Sequence, residues 1–279
     1  MSKISRRDFL TGAAAVAAEL AVPSAVSAAA ARPKIAIVID DMGPEAERPD
    51  LAIDLPAEVT LSFMPFASNP AKQSEYVERL REQTKEALFA GHELLLHMPM
   101  EPKGDADPGP GALKVGMSSG KIRRLLEAAL DIFGGRIAGM NNHEGSRFTA
   151  DPDGMQTVVE VLKERGLFLL DSRTDKDTVA CKVARANDLP TISRKVFLDD
   201  TQTPEAIIAQ LAATEKAAME NGYAAAIGHP HPATMKVLKA WIPHARARGY
   251  EIVSLSELVN EKKTPKQQLS LCGPPPPHP

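Results

Sequence analysis

Ile35-Ala36-Ile37-Val38-Ile39-Asp40-Asp41-Met42-Gly43 is the stretch that decides the fold. Its apolar run is rich in β-branched residues and lacks polar alternation, as expected of a parallel strand covered on both faces. It breaks abruptly at two carboxylates and a glycine. Working outward, the same pattern recurs. Residues 59–63, Val-Thr-Leu-Ser-Phe, break at Pro65, and 93–96 lead into His97. Residues 137–140 lead into Asn141-Asn142-His143, and 167–170 end at Asp171. Residues 195–198 end at Asp199-Asp200, 224–227 end at Gly228-His229, and 250–253 form the last run. Between them, 74–90, 121–133, 153–165, 204–221 and 234–248 carry helical periodicity, with Pro243 expected to kink the last. Residues 101–116 are rich in Pro, Gly and Asp and read as a loop.

Strands alternating with helices predict a parallel α/β fold. Polar residues at the ends of many successive strands predict a site spread over one face of a barrel. The expectation is a distorted (β/α) barrel of about seven parallel strands. A doubly wound open sheet is the alternative, but it would gather its site at one switch point. No GxGxxG or GxxxxGK[ST] loop follows a strand, so a dinucleotide or P-loop site has no support.

The chain has 279 residues and a net charge of −3. That leaves no broad basic field for nucleic acid. Aromatic residues make up 4%, with Trp241 the single tryptophan, so a sugar site of stacked aromatics is not expected. The N-terminus reads as an export signal. Ser5-Arg6-Arg7-Asp8-Phe9-Leu10 precedes an Ala-rich apolar stretch and then the small residues Val26-Ser27-Ala28. The paired arginines resemble a twin-arginine signal, which exports proteins already folded. The chain therefore divides into a signal over 1–31, a domain over 32–260 and a Pro-rich disordered tail over 261–279. Any membrane contact is expected only through export or an uncleaved signal. The two cysteines, Cys181 and Cys272, form no CxxC pair, which excludes a thiolate zinc site. They are expected to be one buried thiol and one loose thiol in the tail. A disulfide in an oxidising compartment is the alternative.

Five clusters carry chemistry: Asp40-Asp41, His97 to Glu101, Asn141 to Arg147, Asp171-Ser172-Arg173, and Gly228-His229-Pro230-His231-Pro232. Adjacent carboxylates at a buried strand end repel each other and lose solvation, so they need a cation or a shared proton. A divalent metal would take one as ligand and leave the other as base. Mixed carboxylate and imidazole ligands suit zinc, iron, cobalt or nickel. A mere turn or helix cap is the plainer reading of the pair, and His97, His143 and His229 at the same sheet end argue against it.

Taken together, these blocks resemble polysaccharide deacetylases (carbohydrate esterase family 4, the NodB-like superfamily) over about residues 33–260. The divergent branch is nearest in its Ile-Asp-Asp, Leu-His-Met-Pro-Met-Glu, Asn-Asn-His-x-Gly-Ser and Gly-His-Pro-His blocks. The resemblance implies a divalent metal, zinc foremost, and a glycan substrate derived from the cell envelope. It makes Asp41 and His97 metal ligands and Asp40 the catalytic base. Glu101 stands where the family has a second histidine ligand, and His143 is the replacement that ends a neighbouring strand. His229 matches the histidine that protonates the leaving amine, with His231 as an alternative acid or ligand. Asp171 resembles the aspartate that tunes that acid. Arg147 or Arg173 would orient a carboxylate or bind an anionic substrate, and Asn142 is a further candidate. The implied activity is deacetylation of an N-acetylated polysaccharide by a periplasmic or secreted hydrolase. The alternatives are hydrolysis of another envelope bond and a non-catalytic, peptidoglycan-binding protein on the same scaffold. His92, His244 and His278 are expected to be structural or solvent-exposed.

Overall fold

Strand β1 (Lys34–Met42) is buried from Ile35 to Asp40, as its unbroken apolar run requires. Its odd residues Ile35, Ile37 and Ile39 pack outward under the helices. Ala36 and Val38 face the other way, into a second, smaller core enclosed by the curled sheet. The computed structural model describes residues 32–261 and 271–273. The expected signal over 1–31 and most of the tail lie outside the described residues.

The elements that follow are α1 (Pro49–Ile53), β2 (Thr60–Phe63), α2 (Gln73–Phe89), β3 (Leu94–Met100), α3 (Ser119–Ile132), β4 (Gly139–Glu144), α4 (Pro152–Glu164) and β5 (Phe168–Asp171). Then come α5 (Ala180–Ala186), β6 (Thr191–Ser193), β7 (Val196–Phe197), α6 (Pro204–Asn221), β8 (Tyr223–Gly228), α7 (Pro232–Ala247), β9 (Glu251–Ile252) and α8 (Leu255–Asn260). The strands form one sheet in the order β6-β5-β4-β3-β2-β1-β8-β7, with β9 on β1. Every pairing is parallel.

The expected curled parallel sheet is therefore present, with nine strands among the described residues rather than about seven. The strand missing from the sequence pattern is the three-residue β6, and β7 and β9 are shorter than the runs over 195–198 and 250–253 that contain them. Two of them complete the curl. Residues 191–193 pair with β5 and 196–197 pair with β8, so one short stretch spans both edges of the sheet. At its bend, Arg194 N–H donates to Asp171 O (3.0 Å) and Lys195 N–H donates to Ala225 O (2.8 Å).

Helix starts follow local chemistry. Thr203 Oγ1 accepts from Ala206 N–H ahead of Pro204 at the start of α6, and Asp151 accepts from Asp153 N–H ahead of Pro152 in α4. Gly222, at φ 81°, ends α6 in the left-handed conformation that glycine adopts without steric cost. Pro243 lies inside α7.

The tail holds a correction. Cys181 and Cys272 form a disulfide rather than one buried and one loose thiol. Leu271 is buried in the inner core, Ser193 Oγ donates to its carbonyl (3.1 Å), and Arg173 Nη1 donates to Gly273 O (3.2 Å). A cross-link between residues 91 apart removes unfolded-chain entropy, and it suits an oxidising compartment.

Candidate metal and catalytic centre

Strand alternation carries Asp40 inward, in line with Ala36 and Val38. A continued strand would send Asp41 outward. Instead Asp41 takes a left-handed backbone, φ 53°, which costs a non-glycine residue on the order of 1–3 kcal/mol. Its carboxylate then lies among the histidines of neighbouring strands. Gly43 follows where the backbone runs so close to Tyr76 that a Cβ would stand 2.5 Å from the hydroxyl oxygen.

His97 on β3 and His143 on β4 face the same point. His143 Nδ1 lies 2.9 Å and His97 Nε2 lies 3.2 Å from Asp41 Oδ1. The two ring nitrogens are 3.3 Å apart, and the rings meet edge to face. Asp41 Oδ1 is buried, and neither contact has the direction of a hydrogen bond, so this acceptor has no donor. Three ligand atoms from three strands thus converge, one of them the orphaned oxygen, which fits a divalent cation held by one carboxylate and two imidazoles. Burial alone would raise the Asp41 pKa, but His143 and His97 hold it well below the usual carboxylate range. For His97, burial disfavours the charged form, yet Asp40 and Asp41 outweigh it and raise its pKa. The group attracts positive charge, whether proton or metal.

Asp40 is 3% exposed, and burial raises its pKa even though His97 and His229 pull the other way. Its carboxylate accepts from Asn141 Nδ2 at 3.0 and 2.9 Å. Asn141 belongs to the cluster over 141–147, where the sequence alone assigned it no role of its own. Period 2 on β4 places it on the same face as His143, and it is fully buried. Asn142 faces away. Its Nδ2 donates to Glu144 O (2.7 Å) and its Oδ1 accepts from Ser172 N–H (3.0 Å), which ties the ends of β4 and β5 together.

His229 closes the opposite side, its Nε2 lying 3.8 Å from Asp41 Oδ2. Its partner is Asp199, not Asp171. Asp199 Oδ1 lies 2.9 Å from His229 Nδ1, and Asp199 Oδ2 accepts from His229 N–H (2.6 Å) and Thr234 Oγ1 (2.8 Å). Burial disfavours the His229 cation, but the bond to Asp199 outweighs it and lifts the pKa to about 9. Asp171 instead accepts from Arg173 N–H (2.9 Å) and Thr178 Oγ1 (3.2 Å), which shapes the turn after β5. The reason is topological. Asp199 follows β7, which pairs with β8, whereas Asp171 ends β5 farther round the sheet.

The remaining candidates stand apart. Glu101 accepts from Val115 N–H (2.7 Å) and faces Arg147 Nε at 3.6 Å, and it is absent from the converging ligand group. Arg147 is thereby engaged at the loop, and Arg173 reaches Gly273 of the tail. His231 Nδ1 meets Glu47 Oε2 (2.9 Å) and its Nε2 meets Gln202 Nε2 (3.0 Å). His92 is buried between Val59 O and Ile53 O, His244 is exposed on α7, and His278 lies outside the described residues. A cleft of about 340 Å³ opens over Asp41, His143 and His229, with Met64, Phe66 and Tyr76 among its walls.

With this geometry in hand, the comparisons with known proteins fall into place. The sequence profile of the divergent polysaccharide deacetylases matches residues 37–259. The chain belongs to this family. A twin-arginine translocation signal matches residues 3–22, so this divergent polysaccharide deacetylase carries an address for export to the periplasm or beyond. Among the described residues no helix is long and apolar enough to cross a membrane. The uncharacterised protein YibQ of Escherichia coli K12 is 34% identical over 253 residues, covering 91% of this chain and 74% of its own. An uncharacterised Haemophilus influenzae protein is 34% identical over 242 residues, covering 86% and 82%. A crystal structure of an uncharacterised protein from Agrobacterium tumefaciens C58 superposes with a TM-score of 0.74 at 29% identity, covering 83% of this chain and 91% of that one. A mutant of a CE4 family pseudoenzyme, with restored enzymatic activity, superposes with a TM-score of 0.53 at 16% identity, covering 84% and 70%. That last likeness shows the shared fold.

Proposed function

We propose that this exported protein is a metal-dependent hydrolase that removes acetyl groups from an N-acetylated glycan of the cell envelope. The observation that carries the reading is the orphaned Asp41 Oδ1 facing His97 Nε2 and His143 Nδ1. Asp41, His97 and His143 would hold the ion, with zinc the best match to this donor set. A bound ion supplies Lewis-acid polarisation of the acetyl carbonyl.

The chain's own groups do the rest. Asp40, its proton affinity raised by burial, takes the proton of the attacking water. Asn141 and the buried wall around Asp40 fix the angle of its carboxylate. His229 is protonated at neutral pH, and with Nδ1 turned to Asp199 it presents Nε2–H toward Asp41 and the cleft. It donates that proton to the leaving amine. Met64, Phe66 and Tyr76 offer the apolar surface for a sugar ring without tryptophan.

The test is acetate release from N-acetylglucosamine oligomers and from chromogenic acetyl esters. The zinc-loaded protein is compared with the chelated protein and with Asp41→Ala. Zinc-dependent release that Asp41→Ala loses supports the reading. A protein that binds zinc and glycan but releases no acetate from either substrate overturns it in favour of a binding role.

A further inference from the structure

Asn141 satisfies all four of its hydrogen-bonding positions inside the barrel. Its Nδ2 donates to both oxygens of Asp40 and to Ser172 Oγ (3.0 Å). Its Oδ1 accepts from Ser62 Oγ (2.6 Å) and faces His97 Nδ1 at 3.0 Å. These partners come from β1, β2 and β3 and from the residue after β5, and Asn141 is fully buried among them. Its amide has one orientation. Turned over, the carbonyl oxygen would oppose both oxygens of the Asp40 carboxylate, which can only accept.

That orientation has a consequence for His97. An oxygen acceptor opposite Nδ1 requires Nδ1–H, so the neutral ring keeps its lone pair on Nε2. Nε2 is the atom that faces Asp41 Oδ1. The same amide thus sets the tautomer of one ion-facing histidine and the angle of the neighbouring carboxylate.

We propose that Asn141 is the positioning residue of this centre. Its carbonyl holds His97 in the Nδ1–H form with Nε2 bare, and its NH2 holds Asp40 in the orientation of a base. This rests on the proposed hydrolase reading for the role of Asp40, but the His97 half does not require activity. Supporting groups that fix a ligand histidine in this way change metal affinity or activity by about 10–100-fold when removed.

The test uses two variants of the full domain labelled with 15N-histidine. Asn141→Ala removes both halves. Asn141→Asp keeps an acceptor for His97 and loses the donors to Asp40. Long-range 1H–15N correlation reads the His97 tautomer, without metal in alkaline solution and with zinc bound. Zinc affinity is measured against a competing chelator. The wild type is expected to show Nδ1–H. Asn141→Ala is expected to show mixed tautomers and zinc binding about 10–100-fold weaker. Asn141→Asp is expected to keep Nδ1–H and its zinc while kcat falls at least about tenfold with KM unchanged. An Asn141→Ala variant with the wild-type tautomer and zinc affinity overturns the proposal. If that variant does not fold, Asn141→Asp decides. Full kcat, or His97 in the Nε2–H form, sinks the idea. A wild type that binds no zinc but shows His97 as Nδ1–H would contradict the metal reading and leave the positioning role standing.

Discussion

Among the described residues, two groups of three ligand-type side chains face the mouth of this barrel, and they differ in how their oxygens are used. Asp41, His97 and His143 converge on a carboxylate oxygen that receives no hydrogen bond. Asp199, His229 and His231 also lie within ligand distance of one another, yet none of their buried polar atoms lacks a hydrogen bond. Asp199 serves the ring and backbone of His229 and the hydroxyl of Thr234, and both nitrogens of His231 already have partners in Glu47 and Gln202. The composition is similar and the wiring is opposite. An unsatisfied buried acceptor among imidazoles calls for a cation, whereas a saturated carboxylate makes its histidine a proton carrier. Residue type alone does not separate a metal cradle from an acid pair.

The comparison can be broken most directly at Asp41. Asp41→Ala is expected to abolish stoichiometric zinc, read by elemental analysis, and with it acetate release. Zinc retained in that variant would place the ion elsewhere. His229→Ala is expected to keep its zinc while kcat falls about 10²–10⁴-fold, the usual loss for a general acid. A variant that also lost its zinc would make His229 a ligand.

Asp199→Asn tests the acid pair through stability. Folded His229 holds its proton up to about 9, above its ordinary value of 6.5. The pair's stabilisation is therefore complete below about 6.5 and is lost as pH rises through about 9. Urea unfolding of the wild type across that window is expected to show the decline, and Asp199→Asn is expected to flatten it. An unchanged slope would remove Asp199 from its role. The smallest effect is expected of Glu101→Ala. It loses a contact to Val115 in a loop, so zinc affinity should stay within about twofold, given the ~10-fold minimum expected for groups that support a metal. A larger loss would return Glu101 to the ligand shell.

Much of this was legible in the sequence because it is local. The apolar run of β1 and its break at Asp40-Asp41 gave the central strand and the site's position on it. His97 and His143 follow short apolar runs on two strands that pair with each other. What was hidden depends on how distant pieces meet. Asp199 and Asp171 both end strands and look equivalent, and only the strand order puts β7 beside β8. β6 was obscure because three residues carry no periodicity, whereas β7 lies within the run over 195–198. Cys272 pairs with Cys181 because Leu271 docks in the inner core, a contact that the Pro-rich composition around it conceals. Asn141 could have been found by counting two residues back from His143. The adjacent Asn142, on the opposite face, drew attention from it.

The central claim is that a cation belongs in the first group and not in the second. Anomalous diffraction at the zinc edge, on crystals of the zinc-loaded domain, tests it directly. The account expects a single peak within coordination distance of Asp41 Oδ1, His97 Nε2 and His143 Nδ1. A peak bound by Asp199, His229 and His231, or none at all at full zinc loading, would contradict it.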